Sequence, residues 1–530
     1  LGGAGQPMRK SSIIATAALV VIGAGLFLRL VVAMQPPASL VPVCLADDAF
    51  YYLRIAEHVL SGDGFTFDGR IATNGWHPLW MIISLIATAA AGGAMAASRL
   101  LLLLLAFIGA ANAYLLWRIA RRAAGEAAGL WAAAFWALNP YVLFTELMGV
   151  EAPLMFLFAL LAIERWLIIR ESDDATDKQW LLLGLFVGLA GLARTDAILL
   201  ALPLAAAIIS EQWRRGKIAP SLKAAAVSVV VVAPWLIFSL AQFGTVVQDS
   251  SRVLILRERL WLAAVGTPLS TKLVQQAQVG FADYFIRLFG MPNAALVFGL
   301  VGLLLGAMIV ARLQHGVFWR KSERGLLPLL GWGALVWTFY LLYFWQQKYW
   351  YFLPVLATIA LGQALVLGYL ARTLAAGKGT RAIAIALGML VLAGFASVGG
   401  KVWREGYQPW QSAYLDAAAI VRTMVAEEPD LKIGAMNAGI LSAFSGLDVI
   451  NLDGVVNPDA HDAIEDRMML AYLRREGINV VVDHAKLIAA YGVFAEGNWA
   501  ESFTLVHRVP ASPFAGDVLV LRVKPPEASP

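Results

Sequence analysis

Apolar runs long enough to cross a bilayer recur from residue 12 to residue 398, and this repetition constrains the fold more than any other feature of the chain. A helix needs roughly 20 mainly apolar residues to span the hydrocarbon core. Candidate spans fall at about 12–34, 99–117, 126–144, 153–170, 180–194, 196–210, 223–241, 293–312, 326–345, 350–371 and 381–398, eleven in all. Composition agrees. Of 530 residues, 60% are apolar and 15% charged, and the mean hydropathy of +0.70 lies outside the soluble range. The expected fold class is a polytopic α-helical membrane protein, with residues 12–399 as its transmembrane part.

The net charge of +5 comes from Lys and Arg in short clusters between apolar runs. That pattern follows the positive-inside rule, and no nucleic-acid site is read in it. Arg9 and Lys10 place the N-terminal segment 1–11 in the cytoplasm, with Leu1 to Pro7 ahead of Met8 reading as a remnant of expression. The run from Pro78 to about Ala96 decides the remaining sidedness. Taken as interfacial or re-entrant, which Gly92-Gly93 favours, it puts Arg118, Arg121, Arg122, Arg170, Lys178, Arg214, Arg215, Lys217, Arg320, Lys321, Arg324, Lys378 and Arg381 together on the cytoplasmic side. The outer loops 35–98 and 242–292 and everything after about Gly400 then share the opposite face, with Asp47, Asp48, Glu146, Glu151, Arg194, Asp196 and Lys348. Ionisable groups in or beside apolar runs are expensive and point to function.

After residue 400 the pattern changes. Alternating apolar segments at 432–436, 449–452, 479–482 and 518–523, with helical periodicity at 414–424 and 462–475, predict a C-terminal soluble α/β domain over 400–530. The single cysteine, Cys44, permits neither an intramolecular disulfide nor a metal cluster.

Asp47 and Asp48 open a helix-compatible stretch in the first outer loop. Consecutive helical residues diverge by about 100°, so one of the pair suits an N-cap and the other a site. Asp47 is expected to be the reactive carboxylate, accepting a proton from an incoming hydroxyl. Glu151 starts a later span and reads either as a second acid or as a charge favoured at a helix N-terminus. Arg194 and Asp196 form an internal ion pair or part of a site. Lys348, Arg252 and Arg257 can meet a phosphate at the membrane surface. For Lys348 and Tyr349 the alternative is an interfacial aromatic belt with a snorkelling cation. Arg54 shares the first loop, and His77 either hydrogen-bonds a phosphate or caps the segment after it. The acidic run from Asn451 to Asp462 lacks the spacing of a calcium loop, and no nucleotide or zinc motif occurs. No cofactor is therefore expected to be required, and a divalent cation has no motif behind it.

Taken in order, Asp47-Asp48-Ala-Phe-Tyr-Tyr, Gly64-Phe-Thr-Phe, Asn74-Gly-Trp-His-Pro-Leu-Trp, Gly191-Leu-Ala-Arg-Thr-Asp196 and Lys348-Tyr-Trp-Tyr-Phe-Leu-Pro354 resemble the GT-C class of integral-membrane glycosyltransferases. They are most similar to the mycobacterial arabinofuranosyltransferase-like branch, and similar also to the aminoarabinose transferase of lipid A and the protein O-mannosyltransferases. The resemblance implies a polyprenyl-phosphate-linked sugar donor and a cell-envelope glycan, glycolipid or protein acceptor. It implies Asp47 as general base, Glu151 as acceptor-side acid, and Arg194 and Lys348 at the phosphate. It also implies a bacterial inner-membrane enzyme with an outward active site. One departure concerns the donor: the aminoarabinose branch carries Lys before its Pro-Leu element, where this chain has Trp76-His77. Two other classes stay open. A lipid-linked-sugar transporter predicts matching halves and broken helices at mid-membrane, and a non-catalytic assembly subunit would tolerate Asp47→Asn.

Overall fold

The computed structural model describes residues 5–278, 320–345, 348–373, 378–511 and 516–525. Among them, Ile13–Ala33, Ala94–Ala124, Ala152–Glu171, Thr195–Arg215, Ala219–Phe243, Glu323–Phe344 and Tyr349–Tyr369 are long and apolar enough to cross a membrane. Two expected spans have a different form. The 126–144 segment is a bent pair, Glu126–Leu138 and Pro140–Glu146, with axes 59° apart. Asn139 ends the first piece and its side chain caps Tyr141 and Val142 of the second, while Pro140 cannot continue the helix. The 180–194 segment is the 17-residue helix Asp177–Ala193, opened by a Thr176 and Gln179 capping box. The 381–398 segment falls within the helix Lys378–Glu405, which runs past the boundary expected at residue 400. The 293–312 segment and residues 279–292 of the second loop lie outside the described residues.

Pro78–Ala91 is a 14-residue helix ending at Gly92, which takes a left-handed conformation. At 1.5 Å per residue it reaches about 21 Å, short of the roughly 30 Å hydrocarbon core, in keeping with an interfacial or re-entrant segment. The second loop, 242–292, is partly helical, with Asp249–Val265 and Leu269–Gln278.

Within the bundle, Arg29 of the first span is wholly buried and pairs with Glu146 at 2.7 Å. Glu146 Oε1 accepts from Asn112 and from the Trp136 indole, and Arg29 also donates to the Trp136 and Ala137 carbonyls. Gly109 is required beside them, since a Cβ there would stand 2.5 Å from Glu146 Oε2 and 2.6 Å from Arg29 Nε.

The C-terminal domain is built on a five-stranded sheet, β1 Ile433–Ala435, β2 Ile450–Asn451, β3 Val480–His484, β4 Phe503–Val509 and β5 Val518–Val523, in the order β2-β1-β3-β5-β4. β1 pairs in parallel with β2 and β3, and β5 runs antiparallel to β3 and β4. β4 was not expected: an edge strand exposed along most of its length, with a register shift between Leu505 and His507, lacks clean alternation. The expected helix at 462–475 is two, Pro458–Glu465 and Met469–Arg475, broken around Arg467 with φ 58°.

The domain is tied to the first loop by polar contacts. The Tyr51 hydroxyl donates to the Met436 carbonyl, Arg54 pairs with Asp448 at 2.7 Å, and Arg70 pairs with Glu476 at 2.8 Å.

Candidate active site

The helix Asp47–Ser61 starts after Ala46, whose extended backbone (φ −78°, ψ 150°) turns the chain into the first helical turn. Asp47 and Asp48 sit there together and point apart. Asp47 faces the C-terminal domain, where its carboxylate accepts the Ile440 N–H at 2.6 Å and the Gly439 N–H at 3.3 Å, at the start of the helix Ala438–Ser445. Burial outweighs those bonds and pushes its pKa up to about 7.

Asp48 instead lines a cavity of about 610 Å³ and accepts a 2.6 Å hydrogen bond from Lys348 Nζ. Burial works against the Lys348 ammonium, but Asp48 beside it wins and holds the lysine pKa above its ordinary value. Of the two, Asp47, expected to be the reactive carboxylate, is engaged with a neighbouring helix and does not line the cavity, whereas Asp48 does.

A second cluster in the cavity lining forms around Arg194, in extended conformation between Asp177–Ala193 and the turn at Thr195. Its guanidinium donates to Glu151 Oε1 at 2.5 Å, to Asp196 Oδ1 at 2.8 Å and to the Tyr340 oxygen at 3.1 Å, and stands 4.3 Å over the Tyr351 ring. The Tyr340 hydroxyl donates in turn to Asp196. Tyr340 begins a π-helical turn, Tyr340–Phe344, of a kind frequent at functional sites. Glu151 Oε2 accepts the Tyr52 hydroxyl at 3.0 Å. Three of the five guanidinium N–H groups are thus spent on two carboxylates and a tyrosine, which already balance the charge expected to meet a phosphate at Arg194.

His77 closes this side. Its ring lies between Gln248, whose Nε2 is 2.9 Å from Nδ1, and Glu151, whose Oε1 is 3.6 Å from Nε2. Burial, reinforced by Arg194, pushes its pKa down to about 3, so the imidazole is neutral at physiological pH.

The helix Asp249–Val265 adds Arg252 and Arg259 to the cavity lining. Arg252 is loosely paired, 3.9 Å from Asp249, and Arg259 has no ion-pair partner among the described residues. Arg259 was not singled out in the sequence, although it follows Arg252 by seven residues on the same helix face.

Three expected site residues lie elsewhere. Arg54 bridges Glu57 and Asp448. Tyr349 packs on Tyr407 at 4.4 Å, while the adjacent Trp350 and Tyr351 line the cavity. Arg257 pairs with Asp453 at 3.3 Å and lies against Tyr491. Glu146, expected among the outer polar groups, is committed to Arg29. At the cavity edge, ligand atoms of His461, Asp462 and Glu465 lie within 4.8 Å of one another. Asp462 and Glu465 are exposed, and groups of this kind are common without an ion.

Residues 78–238 match the family model for dolichyl-phosphate-mannose-protein mannosyltransferase. Across nearly the whole chain, the Archaeoglobus fulgidus oligosaccharyltransferase complex with Zn and sulfate superposes with a TM-score of 0.60 at 14% identity, covering 95% of this chain and 72% of that one. ArnT from Cupriavidus metallidurans in the apo state gives 0.56 at 13% identity over 96% of this chain and 98% of that one. The chain has the GT-C fold. The resemblance carried by the loop motifs is therefore borne out at the level of fold. No curated protein sequence matches significantly. Arabinofuranosyltransferase AftD from Mycobacteria aligns with a TM-score of only 0.41, too low to speak for that branch.

Proposed function

We propose that this chain is a glycosyltransferase that moves a sugar from a polyprenyl-phosphate donor to a hydroxyl of a cell-envelope glycan, glycolipid or protein. The observation that carries the reading is Asp48, a cavity-wall carboxylate held by Lys348, in a cavity that also presents two exposed, weakly engaged arginines, Arg252 and Arg259. Asp48 accepts the proton of the acceptor hydroxyl as that oxygen attacks the anomeric carbon. The anomeric C–O bond breaks and polyprenyl phosphate leaves with the electron pair, giving inversion. A phosphodiester is already a good leaving group, so charge stabilisation by Arg252, Arg259 and Lys348 matters more than a dedicated acid. Glu151 belongs to the acceptor or sugar side.

Support for lipid and acceptor kinds comes from relatives of the same fold, among them ArnT bound to undecaprenyl phosphate and the archaeal oligosaccharyltransferase tethered to an acceptor peptide. Arabinofuranose is the favoured sugar on the loop motifs alone, with mannose or an amino sugar as alternatives. The proposed placement is a bacterial inner membrane, N-terminus inside, with residues 400–530 forming an outer domain that walls the acceptor side. The test is incubation of purified protein with a panel of polyprenyl-phosphate sugars and an envelope acceptor fraction. Transfer of at least one sugar by the wild type, lost in Asp48→Asn, is expected, and no transfer from any donor would remove the reading.

A further inference from the structure

Gln248 is 2% exposed, and its two amide ends can be told apart by their neighbours. One end lies 2.6 Å from the Trp76 carbonyl oxygen, which can only accept, so that end is Nε2. The same nitrogen is 2.9 Å from His77 Nδ1, while Gln248 Oε1 accepts the Thr195 hydroxyl at 2.8 Å. With one N–H spent on Trp76, the other points at Nδ1, and a ring nitrogen that receives a donor carries no proton. The remaining imidazole proton therefore sits on Nε2. His77 and Glu151 both line the cavity, and at 3.6 Å Nε2 and Glu151 Oε1 are too far apart to bond each other.

We infer that His77 and Glu151 together form a clamp for a sugar hydroxyl, and that Gln248 is the positioning residue that fixes the His77 proton on Nε2. A hydroxyl both donates and accepts, so it can give its proton to Glu151 and take the one offered by His77. A phosphate oxygen only accepts and would be repelled by Glu151, which separates this side of the cavity from the arginine rim. The charged groups facing His77 are Glu151, Arg194 and Asp196, and the Tyr52 hydroxyl accepts its backbone N–H at 3.2 Å. The Arg194 cation disfavours imidazolium here and keeps the donor neutral. This assignment rests on the transferase reading for its substrate but not for its proton.

The test is nitrogen NMR of the full chain labelled at histidine, with His77→Asn identifying the signal. Wild type is expected to show Nε2 protonated and Nδ1 bare, unchanged from about pH 5.5 to 8. Gln248→Glu, which offers Nδ1 an acceptor instead of a donor, is expected to move the proton to Nδ1 or to charge the ring. A wild-type ring protonated on Nδ1, or titrating near its ordinary pKa of about 6.5, would overturn the assignment. Methyl arabinofuranoside and methyl mannoside are then titrated against inorganic phosphate. Movement of the Nε2 signal by a glycoside and not by phosphate is expected; movement by phosphate alone, or by neither, removes the clamp. In transfer assays His77→Ala and Gln248→Met should each lower kcat/KM about tenfold, the worth of one hydrogen bond. Absence of transfer in the wild type would sink the proposed activity and leave the NMR result standing.

Discussion

Two buried arginine–glutamate pairs lie within the same fold, and they serve different ends. Arg29 and Glu146 are closed: both are wholly buried, and Asn112, the Trp136 indole and the carbonyls of Gly25, Trp136 and Ala137 take up the bonding around them. Arg194 and Glu151 are equally close but open, since both line the cavity with Asp196, Tyr340 and the neutral His77 around them. The chemistry of the pair is shared. What separates scaffold from site is whether a ligand can reach it.

Breaking each pair should therefore read out in different assays. Glu146→Ala leaves Arg29 charged and unpaired in an apolar bundle, and should destabilise the protein by about 3–5 kcal/mol, seen as a lower thermal midpoint in detergent. Glu151→Gln should do the converse. Asp196 and Tyr340 continue to hold Arg194, so the midpoint stays near that of wild type while transfer falls about 100-fold, the upper range for loss of a hydrogen bond to a charged group. Equal loss of stability in both variants would erase the comparison.

A pH series sharpens it further. The pKa of His77, about 3 in the folded protein against about 6.5 when unfolded, means that the unfolded chain binds the extra proton between those values. Its contribution to stability is therefore whole above pH 6.5 and shrinks as pH falls toward 3. Thermal midpoints of wild type and His77→Asn should accordingly converge, or cross, on acidification. The smallest effect is expected from Arg54→Ala, because the ion pair with Asp448 is partly solvated: about 1 kcal/mol or less in stability and less than a twofold change in transfer.

Much of this was legible in the sequence, for physical reasons that can be named. Hydrophobic length exposes spans directly, and Asp48, Glu151, Arg194 and Lys348 stand out because ionisable groups beside apolar runs need a reason to be there. What the sequence hides is direction. Asp47 and Asp48 are equal as letters, and only the arrival of the Ala438–Ser445 helix, nearly 400 residues later, decides which of them is occupied. Tyr349 and Tyr351 differ by two places in one tight turn, and the turn sends only the latter into the cavity. Glu146 and Glu151 look alike until Arg29 claims the first. A lone arginine inside a first span demands a buried partner, and Glu146 is the one it takes. Tyr340 carried no signal, because aromatic residues are common in every apolar helix and only its hydroxyl partner marks it.

The central claim is that Asp48, not Asp47, meets the acceptor hydroxyl, and parallel transfer assays on Asp48→Asn and Asp47→Asn test it most directly. Asp48→Asn should lose about 100-fold or more of its kcat, with the thermal midpoint lowered no more than loss of the partly solvated Lys348 pair, about 1 kcal/mol, requires. Asp47→Asn, with its oxygen still able to accept from Ile440, should keep most of its turnover and lose stability instead. Full activity in Asp48→Asn alongside an inactive but stably folded Asp47→Asn would contradict the account.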